Sequence, residues 1–501
     1  MLFLAVTRFS GPVSAQTDTA LGRAAETITQ KDVIRRIDVF AADSMMGRDT
    51  PSRGLELAAE YVAGEFRRAG LRPAGDRGGY IQRYGLTSWV VDTARSAVRF
   101  QVDGTQHTVK IGRDARYVLG RIPQHPVRGP VTVVTISPAD SVDLGRIQGR
   151  IVLAIVDFSG PLPPAVNQQI ARMAGAGPRA VVVLSNRDSA TFANRLRSAA
   201  EPRWQRDSER VDERSAPVIE VHERALRRVL AAAGIDAAAL RRSQRATTRS
   251  LDGLTVELEI SRKALRQVRA PNVAGVLEGS DPALRHEYLV YSAHIDHIGL
   301  SPGQADSINN GADDNASGAA GLLELVEAFS RPEARPRRSI LFLAPSAEEP
   351  GLLGSAHYTE HPTVPLNQVV ANLNMDLIGR NWPDSVIAVG LEQSDLGETL
   401  QRVVEAHSEL GMTPIRDRWP EERIFYRSDH YNFARKGVPI LFFTSGTHPD
   451  YHRPTDETDR INGEKAARLV KLLFYLGAAV ANADARPEWV AESYTQIVER
   501  P

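Results

Sequence analysis

Four segments of the sequence place an imidazole or a carboxylate just after a predicted buried strand. The predicted strands are Tyr288–Ala293, Ser339–Ala344, Val369–Met375 and Pro439–Thr444. The residues that follow them are, in order, His294 and Asp296; Glu348 and Glu349; Asp376; and a loop with His448, Asp450, Tyr451 and His452. Because functional groups of open α/β sheets lie beyond the carboxyl ends of the strands, we expect these side chains to lie close together.

A fifth acidic position lies at the start of a predicted helix. Gly311 to Asn315 has the composition of a turn that caps a helix, and Ala316 to Phe329 is a proline-free run of alanine, leucine and glycine. Asp313 is therefore expected at the mouth of this helix, near His294. Acidic turns before helices are common, so this turn defines a site only together with the strand ends.

Metal-assisted chemistry is what these residue types can support. The chain has no cysteine, which leaves nitrogen and oxygen ligands that suit zinc. Two neighbouring ions need an anionic bridge, for which Asp313 is the candidate. His294 and Asp376 can complete one site, and Glu349 and His452 the other, so we predict two zinc ions per chain. Glu348 should point away from Glu349 in an extended turn and is then free to act as the base that takes a proton from water.

Length and composition restrict the remaining possibilities. The 501 residues allow two or three domains, and the formal charge of zero, without a basic stripe, argues against a nucleic-acid partner. No stretch approaches the ~20 apolar residues that cross a membrane. Residues 1–15 resemble a secretory signal whose start lies upstream of Met1, with a frayed cytoplasmic terminus as the alternative, so we predict a secreted or periplasmic protein.

The order of predicted elements indicates an α/β protein with an insertion. Residues 17–112 read as the N-terminal part of a domain that resumes at 254–485 with alternating strands and helices, typical of a largely parallel sheet between helices. Residues 113–250 read as a separate small α/β or β-rich module. Residues 486–501 form a C-terminal tail.

Five motifs resemble the co-catalytic di-zinc exopeptidases, a family that includes bacterial secreted aminopeptidases, glutamate carboxypeptidase and glutaminyl cyclase. The motifs occur in family order and are Ala-His294-Ile-Asp296-His297, Gly-Ala-Asp313-Asp314-Asn-Ala-Ser-Gly, Ala-Glu348-Glu349-Pro-Gly-Leu-Leu-Gly-Ser, Asn-Met-Asp376 and Asp-Tyr451-His452. The resemblance covers roughly residues 271–481, and the inserted module resembles a protease-associated (PA) domain.

The resemblance implies a three-layer helix/sheet/helix zinc-peptidase fold and assigns roles to residues. It implies the same five zinc ligands and the same base, makes Asp296 the group that orients His294, and places a cis peptide bond between Asp313 and Asp314. Arg427 resembles a substrate-facing residue, with a structural ion pair as the alternative. Tyr451 could stabilise an oxyanion or simply pack beside His452.

These assignments leave three neighbouring histidines without a metal-binding role and leave several alternative functions. His297, His430 and His448 are expected to be hydrogen-bonding neighbours, because the predicted ligand set is already full. The predicted activity is release of an N-terminal residue from a peptide. A carboxypeptidase, a dipeptidase, a glutaminyl cyclase and a receptor-like ectodomain with an inactive site are the alternatives, and a homodimer is left open.

Overall fold

A computed structural model describes residues 15–137, 142–160, 163–208, 215–243, 245–303 and 305–499. The chain forms two compact units, the first from residues 1–85 and 268–501 and the second from residues 86–267. The chain passes between them within the strands Ile81–Val91 and Arg262–Leu277. The predicted signal segment, apart from Ala15, lies outside the described residues and stays a prediction.

A mixed sheet organises the first unit. Its order from one edge is Thr413–Ile415, Ser385–Val389, Ile440–Thr444, Val369–Met375, Tyr288–Ser292, Ser339–Ala344, Arg262–Leu277 and Ile81–Val91, with Arg72–Pro73 also paired to Arg262–Leu277. The strands from Ile440–Thr444 to Ser339–Ala344 are mutually parallel. Their neighbours Ser385–Val389 and Arg262–Leu277 run antiparallel to them. Four carboxyl ends therefore meet at one edge of the sheet, as predicted.

The central strands are apolar on both faces, because each face packs against helices. In Tyr288–Ser292, Leu289 and Tyr291 belong to one core cluster, while Val290 belongs to another on the opposite side of the strand. The first cluster includes residues of the helices Ala15–Ala25, Gln30–Phe40, Arg53–Arg68, Gly318–Phe329, Leu396–Ala406 and Gly463–Asn482. The second includes residues of Leu353–Glu360 and His430–Ala434, and a last short helix is Ala491–Tyr494. This arrangement is the predicted helix/sheet/helix sandwich.

A buried ion-pair network fixes the helices of the first face. Arg36 of Gln30–Phe40 is buried and pairs with Glu65 at 2.9 Å, Glu324 at 2.5 Å and Glu327 at 2.9 Å. These partners lie on the helices Arg53–Arg68 and Gly318–Phe329. Removing one member of such a buried network leaves an uncompensated charge, so Arg36 ties the N-terminal helices to the helix that follows the Asp313 region.

The second unit has its own sheet and cores. Its strand order is Thr105–Lys110, Ala97–Val102, Thr247–Glu259, Val127–Thr135, Ile151–Ile155, Ala180–Ser185, Val218–His222 and Ala115–Leu119. The strand Arg203–Arg206 lies outside this sheet and pairs antiparallel with residues 86–89 of the strand Ile81–Val91. The helices of this unit are Pro164–Gly175, Ser189–Ala200, Arg227–Ala232 and Ala237–Arg242. The unit is wider than the predicted module 113–250, because Ala97–Val102 pairs with Thr247–Glu259 and so belongs to the same sheet.

Several short strands and the exact ends of some helices differ from what the sequence predicts. The sequence does not predict the edge strands Thr413–Ile415 and Thr105–Lys110, because short segments with few apolar residues carry little periodic signal. It also does not predict Ser385–Val389, whose five residues are mostly apolar but too few to show a period. The helix expected to begin at Ala316 begins at Gly318, after an irregular turn over Ala312–Ser317. Within the described ranges, none of the helices has the length and apolar character needed to cross a membrane.

Candidate metal centre

Strand ends and one turn of the first unit bring the candidate site together. His294 follows the strand Tyr288–Ser292, and Asp376 directly follows Val369–Met375. Glu348 and Glu349 lie in the turn between Ser339–Ala344 and the next helix. His452 reaches the same region from the loop after Ile440–Thr444. The sheet therefore fixes the backbone positions from which these side chains extend.

One candidate metal group consists of His294, Asp314 and Asp376. The Nε2 atom of His294 lies 3.3 Å from Asp376 Oδ1 and 3.6 Å from Asp314 Oδ1. All three residues are buried. Among the described residues, neither His294 Nε2 nor Asp376 Oδ1 has a hydrogen-bond partner. Buried polar atoms are normally satisfied, so these two atoms face a position that suits a ligand.

A second candidate group consists of His297, Asp314, Glu349 and His452. His452 Nε2 lies 3.1 Å from both Asp314 Oδ2 and Glu349 Oε2. His297 Nδ1 bonds to Glu349 Oε1 at 2.8 Å and lies 3.8 Å from Asp314 Oδ2. Asp314 therefore presents Oδ1 to the first group and Oδ2 to the second, which is the geometry of a bridging carboxylate.

The candidate bridge is Asp314, which belongs to both groups, so the prediction of Asp313 was wrong by one residue. Asp313 points elsewhere: its Oδ1 accepts a 2.6 Å hydrogen bond from the Gly379 N–H, and its Oδ2 lies 3.4 Å from His448 Nε2. The cis peptide bond is Asp314–Asn315, not Asp313–Asp314. Two adjacent acids in an irregular turn point in different directions, and the sequence does not say which one faces the strand ends.

The turn is held in place by Asp456, a residue that sequence reasoning missed. Its carboxylate accepts the backbone N–H of Asp313 at 3.0 Å and that of Asp314 at 3.1 Å. The residue is fully buried, and burial, opposed by these backbone bonds, raises the pKa of Asp456 to about 6. An isolated aspartate four residues after His452 gives no periodic or motif signal.

The donor atoms fit zinc. Zinc takes nitrogen and oxygen donors at about 2.0–2.1 Å, and tetrahedral ligands at that distance are about 3.4 Å from one another. The separations within the two groups, 3.3 and 3.6 Å in the first and 3.1 Å in the second, are close to that value. His294, Asp376, Glu349 and His452 fit as terminal ligands and Asp314 as the bridge.

Charge within the cluster also favours cations. Burial would lower the pKa of His294, but the negative charges of Asp376 and Glu348 outweigh burial and raise it well above its usual value. Burial likewise opposes a charged His452, yet Asp314 and Glu349 raise the pKa of His452 to about 10. The carboxylates outnumber the imidazoles, so a positive charge placed between them is strongly stabilised.

Glu348, the predicted base, lies beside the first candidate metal group. It is buried, its Oε2 lies 3.9 Å from His294 Nε2, and it lines the same cavity as Asp314 and Asp376. Burial, partly offset by His294, raises the pKa of Glu348 well above its usual value. A carboxyl group of this kind can take up a proton and give it back.

Asp296 acts through a different contact than predicted. Its carboxylate is 3.7 Å from His294 Nδ1, beyond hydrogen-bond distance, whereas its backbone carbonyl oxygen lies 3.2 Å from that atom. The carboxylate instead accepts the backbone N–H of Glu348 at 3.1 Å and of Glu349 at 3.4 Å. Asp296 therefore orients His294 through its carbonyl and fixes the glutamate turn through its side chain.

A chain of buried amides and hydroxyls holds Asp376. Ser428 Oγ donates to Asp376 Oδ2 at 2.9 Å and accepts from Asn374 Nδ2 at 2.9 Å. Asn374 Oδ1 in turn accepts a 2.6 Å hydrogen bond from Ser292 Oγ. Ser428 thus leaves Asp376 Oδ1 as the free atom that faces His294.

Replacing Ser428 by alanine should weaken zinc binding about 10-fold, because Asp376 loses the group that fixes its orientation. The measurement is zinc affinity of the metal-free protein by competition with a chromophoric chelator. Ser330→Ala is the matched control, since its hydroxyl donates only to the carbonyl of Val326 within its own helix end. Equal affinities of the Ser428 variant and the wild type would contradict this role.

A cavity opens beside the two metal groups. Its lining comprises the site residues Asp314, Glu348 and Asp376, the apolar residues Leu377, Ile424 and Phe442, and Glu422, Arg427, Thr444, Gly446, Thr447 and Tyr451. The apolar side chains form one part of the wall, so the cavity can accept an apolar group next to the metal positions.

Three other residues singled out in the sequence, Tyr451, Arg427 and His430, lie in or near the wall of this cavity. Tyr451 lines it and stacks on His452 with ring centroids 3.8 Å apart. Arg427 lines it as well and pairs with Glu422 at 3.1 Å, which agrees both with the predicted substrate-facing position and with the alternative of a structural ion pair. His430 is a buried neighbour, with Nε2 2.9 Å from the carbonyl oxygen of Phe425, and burial lowers its pKa to about 3.

Fold and site together define a class: an α/β-sandwich domain with two adjacent groups of candidate metal ligands at the carboxyl ends of parallel strands. Residues 272–477 match the model described as peptidase family M28. The chain therefore carries a peptidase family M28 domain, and the predicted resemblance to di-zinc exopeptidases is confirmed at this level.

Individual relatives agree with the family. The chain is 27% identical over 218 residues to aminopeptidase YwaD of Bacillus subtilis, covering 42% of this chain and 44% of that protein. It is 31% identical over 163 residues to leupeptin-inactivating enzyme 1 of Streptomyces exfoliatus, covering 32% of this chain and 34% of that protein. The matches thus span less than half of either relative.

A solved structure supports the fold over nearly the whole chain. The aminopeptidase from Aneurinibacillus sp. strain AM-1 aligns with a TM-score of 0.54 and 16% identity, covering 93% of this chain and 97% of that chain. At this identity the likeness bears on the fold alone.

Proposed function

We propose that this protein is a zinc-dependent aminopeptidase that hydrolyses the first peptide bond of a peptide. The observation that carries the proposal is the shared carboxylate of Asp314, which offers one oxygen to each of two metal groups while Glu348 lies beside them. The family match and the names of the relatives agree with peptide hydrolysis.

The residues divide the chemistry among themselves. Asp314 would bridge two zinc ions, with His294 and Asp376 on one and Glu349 and His452 on the other. Zinc bound there would polarise the scissile carbonyl and lower the pKa of a water molecule towards neutrality. Glu348 would take the proton from that water and return it to the leaving amine. Tyr451, whose ring is stacked on His452, lines the cavity and would be a hydrogen-bond donor to a developing oxyanion.

The cavity favours an apolar side chain next to the bond that is cleaved. The wall formed by Leu377, Ile424 and Phe442 offers burial to an apolar side chain, worth roughly 1.5–3 kcal/mol for a leucine or phenylalanine. An uncompensated charge placed against this wall would lose its hydration. Substrates with an apolar N-terminal residue should therefore be preferred.

A panel of aminoacyl chromogenic substrates, assayed before and after chelation, tests the proposal. We expect kcat/KM for leucyl and phenylalanyl substrates to exceed that for aspartyl substrates by at least about 10-fold, the scale of apolar pocket discrimination. Activity should vanish with a chelator and return with zinc. N-blocked peptides cleaved at the carboxyl end would instead indicate a carboxypeptidase, and cyclisation of N-terminal glutamine a glutaminyl cyclase.

A further inference from the structure

One buried arginine of the N-terminal region contacts the backbone of two of the segments that carry candidate metal ligands, the His294 loop and the stretch before the Asp314 turn. Arg48 is 0% exposed. Its Nε donates to the carbonyl of Ile295 at 3.1 Å, Nη1 to those of Phe40 and Asn310, and Nη2 to that of Gly311 at 3.0 Å. All four acceptors are backbone carbonyls, so Arg48 works as a clamp between chain segments and not as one half of an ion pair.

The clamped carbonyls flank the candidate ligands. Ile295 lies between His294 and Asp296, in the segment that follows the central strand. Asn310 and Gly311 lie immediately before the turn that places Asp314. One rigid, planar guanidinium thus spans the two loops whose spacing sets the 3.6 Å separation between His294 Nε2 and Asp314 Oδ1.

The backbone around Arg48 reinforces the clamp. The N–H of His297 donates to the carbonyl of Arg48 at 3.2 Å, and the N–H of Gly299 to that of Gly47 at 3.0 Å. Gly47 has a φ of 65°, and a Cβ there would lie 2.5 Å from the carbonyl oxygens of both Asn309 and Gly299. Only glycine allows this close approach, which brings Arg48 between the loops.

The charge of Arg48 is compensated by the candidate site itself. Burial lowers the pKa of Arg48 to about 10, and the opposing attraction comes from Asp314, Asp296, Asp456 and Glu349. Two of these carboxylates are candidate zinc ligands, and the other two hold the ligand turns. A buried cation at this position therefore offsets part of the mutual repulsion of the site carboxylates before any metal binds.

We propose that Arg48 is a positioning residue for the metal centre, which fixes the loop of His294 relative to the turn of Asp314 and so sets the affinity of the protein for zinc. This inference rests on the zinc site of the proposed function. It assigns a role in metal binding to a segment outside the matched family region, residues 272–477.

Zinc affinity of the metal-free protein, measured by competition with a chromophoric chelator, tests the proposal. Arg48→Met should weaken zinc binding about 10- to 100-fold, the usual effect of removing a group that orients ligands. Arg48→Lys keeps the charge but cannot span four carbonyls, and should also weaken binding, by a smaller factor. If the methionine variant does not fold, the zinc affinity of the lysine variant tests whether Arg48 positions the metal ligands.

The matched control is Arg36→Met, which removes another buried arginine from the same region. The partners of Arg36 are Glu65, Glu324 and Glu327, none of which belongs to a candidate metal group. It should lower the thermal unfolding temperature of the metal-free protein and leave zinc affinity within about 2-fold of wild type. If the folded Arg48 variants also keep wild-type affinity, the proposal is wrong and Arg48 is purely structural. If the wild type itself binds no zinc, the proposed function fails instead.

Discussion

Replacing Glu348 by glutamine should leave the zinc content unchanged and lower kcat by about 10²- to 10⁴-fold, the usual contribution of a general base. Glutamine keeps the size of the side chain and its polar oxygen but cannot take up a proton. The carboxyl group is not a member of either candidate metal group, so ligand geometry should survive the change. KM should change little, because the base acts mainly in the transition state.

The measurement is steady-state kinetics on a leucyl substrate together with zinc analysis of the same preparation. Glu422→Gln is the matched control: it makes the same chemical change in the lining of the same cavity, in a residue that belongs to neither metal group. It should retain kcat within a few-fold. A Glu348 variant that turns over like the control would show that another group takes the proton.

Replacing Asp314 by asparagine should abolish zinc binding and activity together. Asparagine has about the same shape, but it offers one neutral acceptor where the two metal groups each use a carboxylate oxygen. Both groups therefore lose a ligand and their shared negative charge. We expect less than one zinc ion per chain after dialysis and no detectable hydrolysis above the metal-free protein.

Asp313→Asn distinguishes this assignment from the one that the sequence suggested. Its carboxylate accepts from Gly379 and lies near His448, away from both metal groups. An amide oxygen can still accept the Gly379 bond, so the Asp313 variant should keep most of its zinc. Loss of metal in the Asp313 variant with retention in the Asp314 variant would reverse the assignment of the bridge.

Strand-end positions were predictable because sheet topology constrains them tightly. His294, Asp376, Glu349 and His452 each follow a parallel central strand, and the period and direction of those strands determine where the residues lie. All four belong to the candidate metal groups in the structure. The alternation of apolar strands and helices was enough to predict the sandwich itself.

The features that could not be predicted from the sequence are the identity of the bridging aspartate and the roles of Arg48 and Asp456. The choice between Asp313 and Asp314 depends on the turn over Ala312–Ser317, where local dihedral angles have no periodicity. Arg48 reaches the site from a distant part of the chain, whereas Asp456 lies only four residues after His452. In both cases a single buried charge leaves no pattern in the sequence. Export, the PA-like identity of the second unit and a homodimer stay predictions.

Zinc stoichiometry is the measurement that tests the two-ion centre most directly. The metal-free protein should be titrated with zinc and its bound metal determined by elemental analysis after removal of excess. The geometry predicts two zinc ions per chain, with Asp314→Asn abolishing both. A wild-type protein that holds one ion or none at saturation would contradict the centre proposed for His294, Asp314, Glu349, Asp376 and His452.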